Sequence, residues 1–378
     1  MNALTEIIRG EIAERGFLPF PRFMELALYC PKHGYYETKK DNPGRRGDYY
    51  TSVGVGEVFG QLLAFQFANW SATFNLKSAT VNLVEAGAHD GRLARDILGW
   101  LQLKRPELFG RIEYWIIEPS AQRREWQEET LDQYSPQVRW IDGLENLKPR
   151  AQNPKLTGVI FSNELLDAMP VHRYGWDAGR KVWYEWGVGV DGEKFIWARM
   201  PDIPAPQSRE RDGVRKGDPS STLNLPASLL EVLPDGYTIE TSPAAESWWR
   251  EAAKLLERGR LLAIDYGLTA DELIMPNRLR GTLRAYYRHH ASGDVLANVG
   301  EQDLTAHVNF SALQAAGESA GLKTESFSTQ SQFLTQILRD ASKVDLLGEW
   351  TPARTRQFQT LTHPEHLGRA FRVLVQSR

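Results

Sequence analysis

The chain has 378 residues, 42% of them hydrophobic and 25% charged, with a formal net charge of -3. This is ordinary globular composition with ample core material, and it gives no whole-chain electrostatic reason to expect nucleic acid or an anionic membrane as partner. The single cysteine, Cys30, excludes an intrachain disulfide and a thiolate zinc cluster, and reads as a small buried apolar residue. No apolar run reaches the length of a membrane span, and the N-terminus lacks the marks of a signal or transit peptide, so a reducing, cytoplasmic setting is expected.

Leu4, Ile7, Ile8 and Ile12 recur at helical spacing, and a second helix is predicted over 23–29, after the break at Pro19 and Pro21. A turn-rich stretch follows to Asp48, and then 56–70 sets Phe59, Leu62, Leu63, Phe67 and Trp70 along one helical face. From residue 80, short apolar strands (81–86, 114–118, 138–141, 158–163) alternate with amphipathic helices (91–103, 121–134). Strands separated by helices argue for parallel βαβ units in a doubly wound α/β sheet, which binds ligands beyond the carboxyl ends of its strands.

Residues 171–236 break that rhythm. The segments 171–174, 181–190 and 194–200 alternate like antiparallel strands, Trp176, Trp183, Trp186 and Trp197 fall on or beside them, and the Pro-, Arg- and Asp-rich 201–219 reads as a surface loop. A helix over 244–258 and a strand over 260–265 restore the α/β pattern, and late strands at 323–327 and 371–375 are expected to close the sheet as a terminal hairpin. The expected division is an N-terminal helical region (1–79), a core of 80–170 and 237–378, and an inserted β-rich, substrate-side subdomain (171–236).

The chemistry concentrates at strand ends. Glu85 closes the first strand, and Gly87, Ala88 and Gly91 form a turn that opens the next helix. Gly87 allows a tight turn and close approach to a ligand, and Gly91 lets the helix pack near the strand. An acid ahead of the glycines points to S-adenosylmethionine, whose ammonium it would meet. Glu118, at the second strand tip, suits the two ribose hydroxyls of an adenosine, or else caps the next helix together with Ser120. Asp142 sits where an adenine amino group would be read, or forms an Asp-Gly turn. Asn163, Glu164 and Asp167 crowd the fourth strand tip, and polar groups so packed are costly unless solvated or engaged. Glu240 and the runs Asp265-Tyr266-Gly267, Gly281 to Tyr286 and Asp303 to Val308 are further candidates. His289, His290 and His307 match no helix-borne ligand pair, so no metal site is expected.

These residues resemble the MidA-like methyltransferase family in order along nearly the whole chain. The shared elements run from Phe23-Met24-Glu25-Leu26 and His33-Gly34-Tyr35-Tyr36 to Gly47-Asp48-Tyr49-Tyr50-Thr51-Ser52. They continue with the Glu85 turn, Asn163-Glu164-Leu165-Leu166-Asp167-Ala168-Met169-Pro170, Ile264-Asp265-Tyr266-Gly267, Gly281-Thr282-Leu283-Arg284 and Asp303-Leu304-Thr305-Ala306-His307-Val308. The resemblance implies a class I methyltransferase sheet and S-adenosylmethionine as cofactor, with Thr51 among the residues at its rim. It also implies an arginine of a partner protein as acceptor, with a respiratory-complex subunit as the class of partner. Glu164 is the first candidate to hold the guanidinium, with Asp167 or Glu240 as its partner. Two departures touch the cofactor rim. His89 stands where the family has its third glycine, and Val53-Gly54 follows the Thr-Ser where the family has Pro-Glu. A nicotinamide-dependent oxidoreductase would use the same turn and ribose acid, but no hydride-transfer acid pair is identifiable. A non-catalytic assembly chaperone on the same fold is the third reading.

Overall fold

The structure is a computed structural model that describes residues 2–38, 51–74, 80–147, 155–200, 225, 227–275, 278–287, 290–344 and 346–378. The loop expected over 201–219 and the motif residues Gly47 to Tyr50 lie outside the described residues. The chain divides into two compact units. The larger comprises 39–166, 247–267 and 313–378, and the smaller 1–38, 167–246 and 268–312.

The larger unit is built on strands β1 (Val81–Ala86), β2 (Ile112–Ile117), β3 (Val138–Ile141), β4 (Leu156–Asn163), β5 (Leu256–Leu268), β6 (Lys323–Thr329) and β7 (Phe371–Ser377). They lie in the order β6-β7-β5-β4-β1-β2-β3. The pairs β5–β4, β4–β1, β1–β2 and β2–β3 are parallel, while β7 runs antiparallel to both β5 and β6. This is the doubly wound sheet expected from the alternating pattern. The last two strands do pair antiparallel, but the helices Gln330–Ser342 and Pro352–Thr362 lie between them in the chain, so they are no tight hairpin.

Burial shows why the sheet needs two helical layers. Successive strand residues point to opposite faces, yet every residue of β1 and β2 is buried. Leu83, Tyr114, Phe161 and Ile264 join a core with Phe59 and Leu63 of the helix Val58–Ala72 and Ile97 of the helix Arg92–Lys104. The opposite face is covered in part by the helix Pro243–Leu255, whose Trp249 is wholly buried and donates its indole N–H to Gln376 Oε1 of β7 at 2.8 Å. Gln376 Nε2 in turn donates to Gln314 O and Thr324 Oγ1.

The smaller unit is antiparallel. Val182–Asp191 pairs with His172–Asp177 and with Lys194–Arg199, and Thr238–Thr241 pairs with His172–Asp177. The short strand Leu18–Pro19 also joins Val182–Asp191, through Leu18 to Val188. The N-terminal helices Ala3–Arg15 and Phe20–Tyr29 therefore group with the antiparallel sheet and not with a region ending at 79. Phe20 packs at a tilt against Trp197 and Phe23 meets Phe195 edge-on, with centroids at 4.9 and 5.7 Å. The strand Thr238–Thr241 likewise belongs to this sheet, and Arg284–Tyr287 lies between His290–Ser292 and Asp303–Thr305 in a second one. Strand pairing thus draws the boundaries differently from the expected 1–79, 80–170 with 237–378, and 171–236.

Replacing Trp249 by Phe keeps most of the packing but leaves Gln376 Oε1 without its buried donor. Urea unfolding of Trp249→Phe should show a loss of about 1–3 kcal/mol, and an unchanged midpoint would mean that this bond contributes nothing.

Candidate functional site

The register of three adjacent strands assembles one cluster. Ala86 pairs with Ile117 on one side and with Ser162 on the other. The carboxyl ends of β1, β2 and β4 are therefore level, and they carry Glu85, Glu118 and Asn163. All three side chains are buried.

Glu85 is only 2% exposed, and its Oε2 accepts the Tyr114 hydroxyl at 2.5 Å. Burial pushes its carboxyl up from 4.5 to about 7; the Tyr114 bond opposes that rise and the Asp90 charge adds to it. The turn that follows is left-handed at Gly87 (φ 79°), His89 (φ 47°) and Gly91 (φ 82°). A Cβ at Gly87 would stand 3.1 Å from Leu165, and one at Gly91 3.2 Å from Leu131. Ala88 O accepts Gly91 N–H at 2.8 Å and closes the turn. His89 keeps the backbone path that glycine favours, while its imidazole lies 3.8 Å from Asp90 and 6.1 Å from the Trp126 ring.

Glu118 is held on both oxygens. Oε1 accepts Ser120 N–H and Arg123 Nε, each at 3.0 Å, and Oε2 accepts Gln127 Nε2 at 3.0 Å. Gln127 Nε2 also donates to His89 O, tying the second strand tip to the glycine turn. Ser120 caps the helix Ala121–Leu131 by accepting Arg123 N–H, so the capping role falls to it. Asp142 is exposed and pairs with Arg124.

At the β4 tip, Glu164 Oε1 accepts Ser52 N–H at 2.9 Å and Asn163 Nδ2 at 3.0 Å. Thr51 caps the short turn that presents Ser52, its Oγ1 accepting Gly54 N–H at 2.9 Å. Thr51, Glu85, Gly87, Ala88, Gly91, Glu118, Asn163 and Glu164 all belong to the larger unit. Ser52, Arg123, Gln127 and Tyr114 complete their hydrogen bonds; Ser52 lies in the shared Thr51-Ser52 element, whereas no motif marked the other three, since Tyr114 meets Glu85 and Gln127 meets His89 across 29 and 38 residues.

Asp167 and Glu240 belong to the smaller unit. The Glu240 side chain is only 4% exposed, its Oε2 accepts Thr282 N–H at 2.7 Å, and Arg173 Nε lies 3.8 Å from its Oε1. Burial raises its carboxyl above the usual range, against the pull of Arg173. Thr282 Oγ1 accepts His307 N–H at 3.0 Å, which links two motifs that the sequence leaves apart. Burial lowers the His307 imidazole to about 4, with Arg278 and Arg284 adding, so it is neutral at pH 7. Asp167 O accepts Ala306 N–H at 2.9 Å. His290 lies exposed on its strand, and His289 lies outside the described residues. Among the described residues no group of three His, Cys, Asp or Glu side chains is arranged to hold a metal.

Residues 62–328 match a family described as S-adenosyl-L-methionine-dependent methyltransferase. The chain is 26% identical to the protein arginine methyltransferase NDUFAF7 homolog, mitochondrial, of Drosophila melanogaster, over 99% of this chain and 84% of that protein. It is 28% identical to the mitochondrial protein arginine methyltransferase NDUFAF7 of Mus musculus, over 98% and 84%. A crystal structure from Burkholderia thailandensis, bound to S-adenosyl-homocysteine, matches with a TM-score of 0.79 and 32% identity over 100% of this chain and 92% of that one. The expected cytoplasmic setting is overturned by these relatives, which are named mitochondrial proteins. A single buried cysteine fits any reducing compartment and does not choose among them.

The raised Glu85 carboxyl makes a testable contribution to stability. Its folded value, about 7, lies above its unfolded 4.5, so its stabilising contribution is full below pH 4.5 and is lost as pH rises through 7. Melting temperatures of Glu85→Gln, which cannot ionise, should gain on wild type between pH 5 and pH 8. A constant difference across that range would show that Glu85 does not titrate there.

Proposed function

Because the chain belongs to the S-adenosyl-L-methionine-dependent methyltransferase family, we propose that it moves the methyl group of S-adenosylmethionine to an arginine of a partner protein. The cofactor supplies an electrophilic methyl carbon on a sulfonium. Thr51, Glu85, Gly87, Ala88, Gly91, Glu118, Asp142 and Asn163 are the residues we assign to holding it. The site fits such a group: Asn163 Oδ1 is buried with no hydrogen-bond partner among the described residues, beside two buried carboxylates. An orphan acceptor in that company suits a ligand rich in N–H and O–H donors.

The observation that carries the acceptor assignment is Glu164, whose carboxylate is fixed at Oε1 by a backbone N–H and a side-chain amide at the β4 tip. A carboxylate held in advance matches the planar guanidinium fork and places its nitrogen without reorganisation during reaction. The nitrogen lone pair forms the N–C bond as the C–S bond breaks, and the surplus proton leaves to solvent. The relatives named arginine methyltransferases support the same acceptor. Asp167 and Glu240 are kept as acceptor-side carboxylates of the smaller unit, and a respiratory-complex subunit is the acceptor to test first. Family membership displaces the nicotinamide-dependent reading.

Two variants separate the roles. Glu118→Ala should weaken S-adenosylmethionine binding by roughly 1.5–3 kcal/mol, the range for hydrogen bonds to a charged group, and calorimetry reads this directly. Glu164→Gln should leave donor affinity nearly constant while single-turnover transfer falls by roughly a hundredfold. Tritiated methyl from the wild-type enzyme should be recovered as methylarginine after acid hydrolysis of the labelled protein, and recovery on lysine instead would remove arginine as the acceptor.

A further inference from the structure

We propose that Asp265 is the positioning residue that sets Glu164 for methyl transfer. The inference rests on the acceptor-holding role proposed above for Glu164. Asp265 lies near the end of β5, the strand beside β4, and is 0% exposed. A carboxylate taken wholly out of water is costly unless its lone pairs are filled. Here they are filled by backbone amides. Oδ2 accepts Leu166 N–H at 2.8 Å and Leu165 N–H at 3.1 Å, and Oδ1 accepts Tyr266 N–H at 2.8 Å.

Two of those amides belong to the residues directly after Glu164, where the chain leaves the sheet. Glu164 N–H still donates to Ile264 O at 3.0 Å, but its φ is 54°, a left-handed conformation that disfavours any residue with a Cβ. That turn carries the amides of Leu165 and Leu166 out of the strand ladder, and the Asp265 carboxylate is the acceptor that meets them. With the turn so fixed, the Glu164 side chain reaches Ser52 N–H and Asn163 Nδ2, and Leu165 packs against Gly87, 3.1 Å from where a Cβ would stand. One buried anion therefore sets the acceptor-side carboxylate and the glycine turn relative to each other. Asp265 acts through Glu164 and does not itself hold the guanidinium.

Asn at 265 is nearly isosteric but has one acceptor oxygen, so its NH2 group must face either the two loop amides or Tyr266 N–H. The test uses full-length Asp265→Asn, Glu164→Gln and the double variant. Hydrogen exchange in peptides spanning 160–168, donor affinity by calorimetry, and single-turnover transfer of tritiated methyl into the protein fraction that wild type labels are measured together. D265N should exchange at least about tenfold faster across 160–168 and keep donor affinity within about threefold of wild type. It should also lose at least about tenfold in transfer, and D265N/E164Q should be no slower than E164Q alone, because both changes act on one carboxylate. Unchanged exchange or transfer in D265N, or multiplicative losses in the double variant, would overturn the proposal. Wild-type transfer by E164Q removes the role of Glu164 and this inference with it, whereas a slow E164Q beside a wild-type D265N removes the inference alone. If D265N does not fold, Asp265→Glu, which keeps the charge and displaces the oxygens by one methylene, is held to the same outcomes.

Discussion

Strand β4 lies between β1 and β5, and its parallel register with both is the constraint on which the candidate site depends. Ser162 is opposite Ala86, and Asn163 is opposite Ile264. Because side chains alternate, a slip of one residue would send Asn163 and the core residue Phe161 to the wrong face. Burial of both faces makes that slip expensive, since β4 contributes Val159 and Phe161 to one layer while Ile160 is buried in the other. The register that fills the core thus also levels the strand ends that carry Glu85, Glu118 and Asn163.

The acids of the larger unit meet burial in different ways, and the differences bear on their roles. Glu85 accepts one hydrogen bond, from the Tyr114 hydroxyl, and burial pushes its carboxyl up to about 7. Glu118 is charge-paired with Arg123 and bonded to Gln127, which makes it part of a rigid frame joining the second strand to the glycine turn. Asp265 accepts backbone amides, and Glu164 accepts one backbone and one side-chain amide at Oε1. A frame held by so many fixed dipoles needs little rearrangement to stabilise developing charge, which is what methyl transfer asks of a protein.

His89 shows how local backbone geometry tolerates a departure from a family pattern. The turn needs left-handed φ there, and the histidine adopts it, with its ring near Trp126 and Asp90. The other departure, Val53-Gly54 after Thr51-Ser52, leaves a capped turn whose Ser52 N–H still reaches Glu164.

What the sequence determined by itself was whatever depends on near neighbours. Period-two and helical apolar patterns located β1 and β3 to the residue and placed the flanking helices within a few positions, because each element buries a stripe set by its own spacing. Glycines and acids at strand ends singled out the candidate cofactor residues for the same local reason. The tertiary structure decided what depends on distant pairing. Leu18 pairs with Val188, so the N-terminal helices group with the antiparallel sheet, a grouping no composition shift announced. Asp265 meets amides 99 and 100 residues earlier, Gln330 meets Ser52 across 278, and His307 meets Thr282 across 25. Such bonds leave no periodicity in the chain, because buried polar groups take whichever partner the packed fold brings within reach.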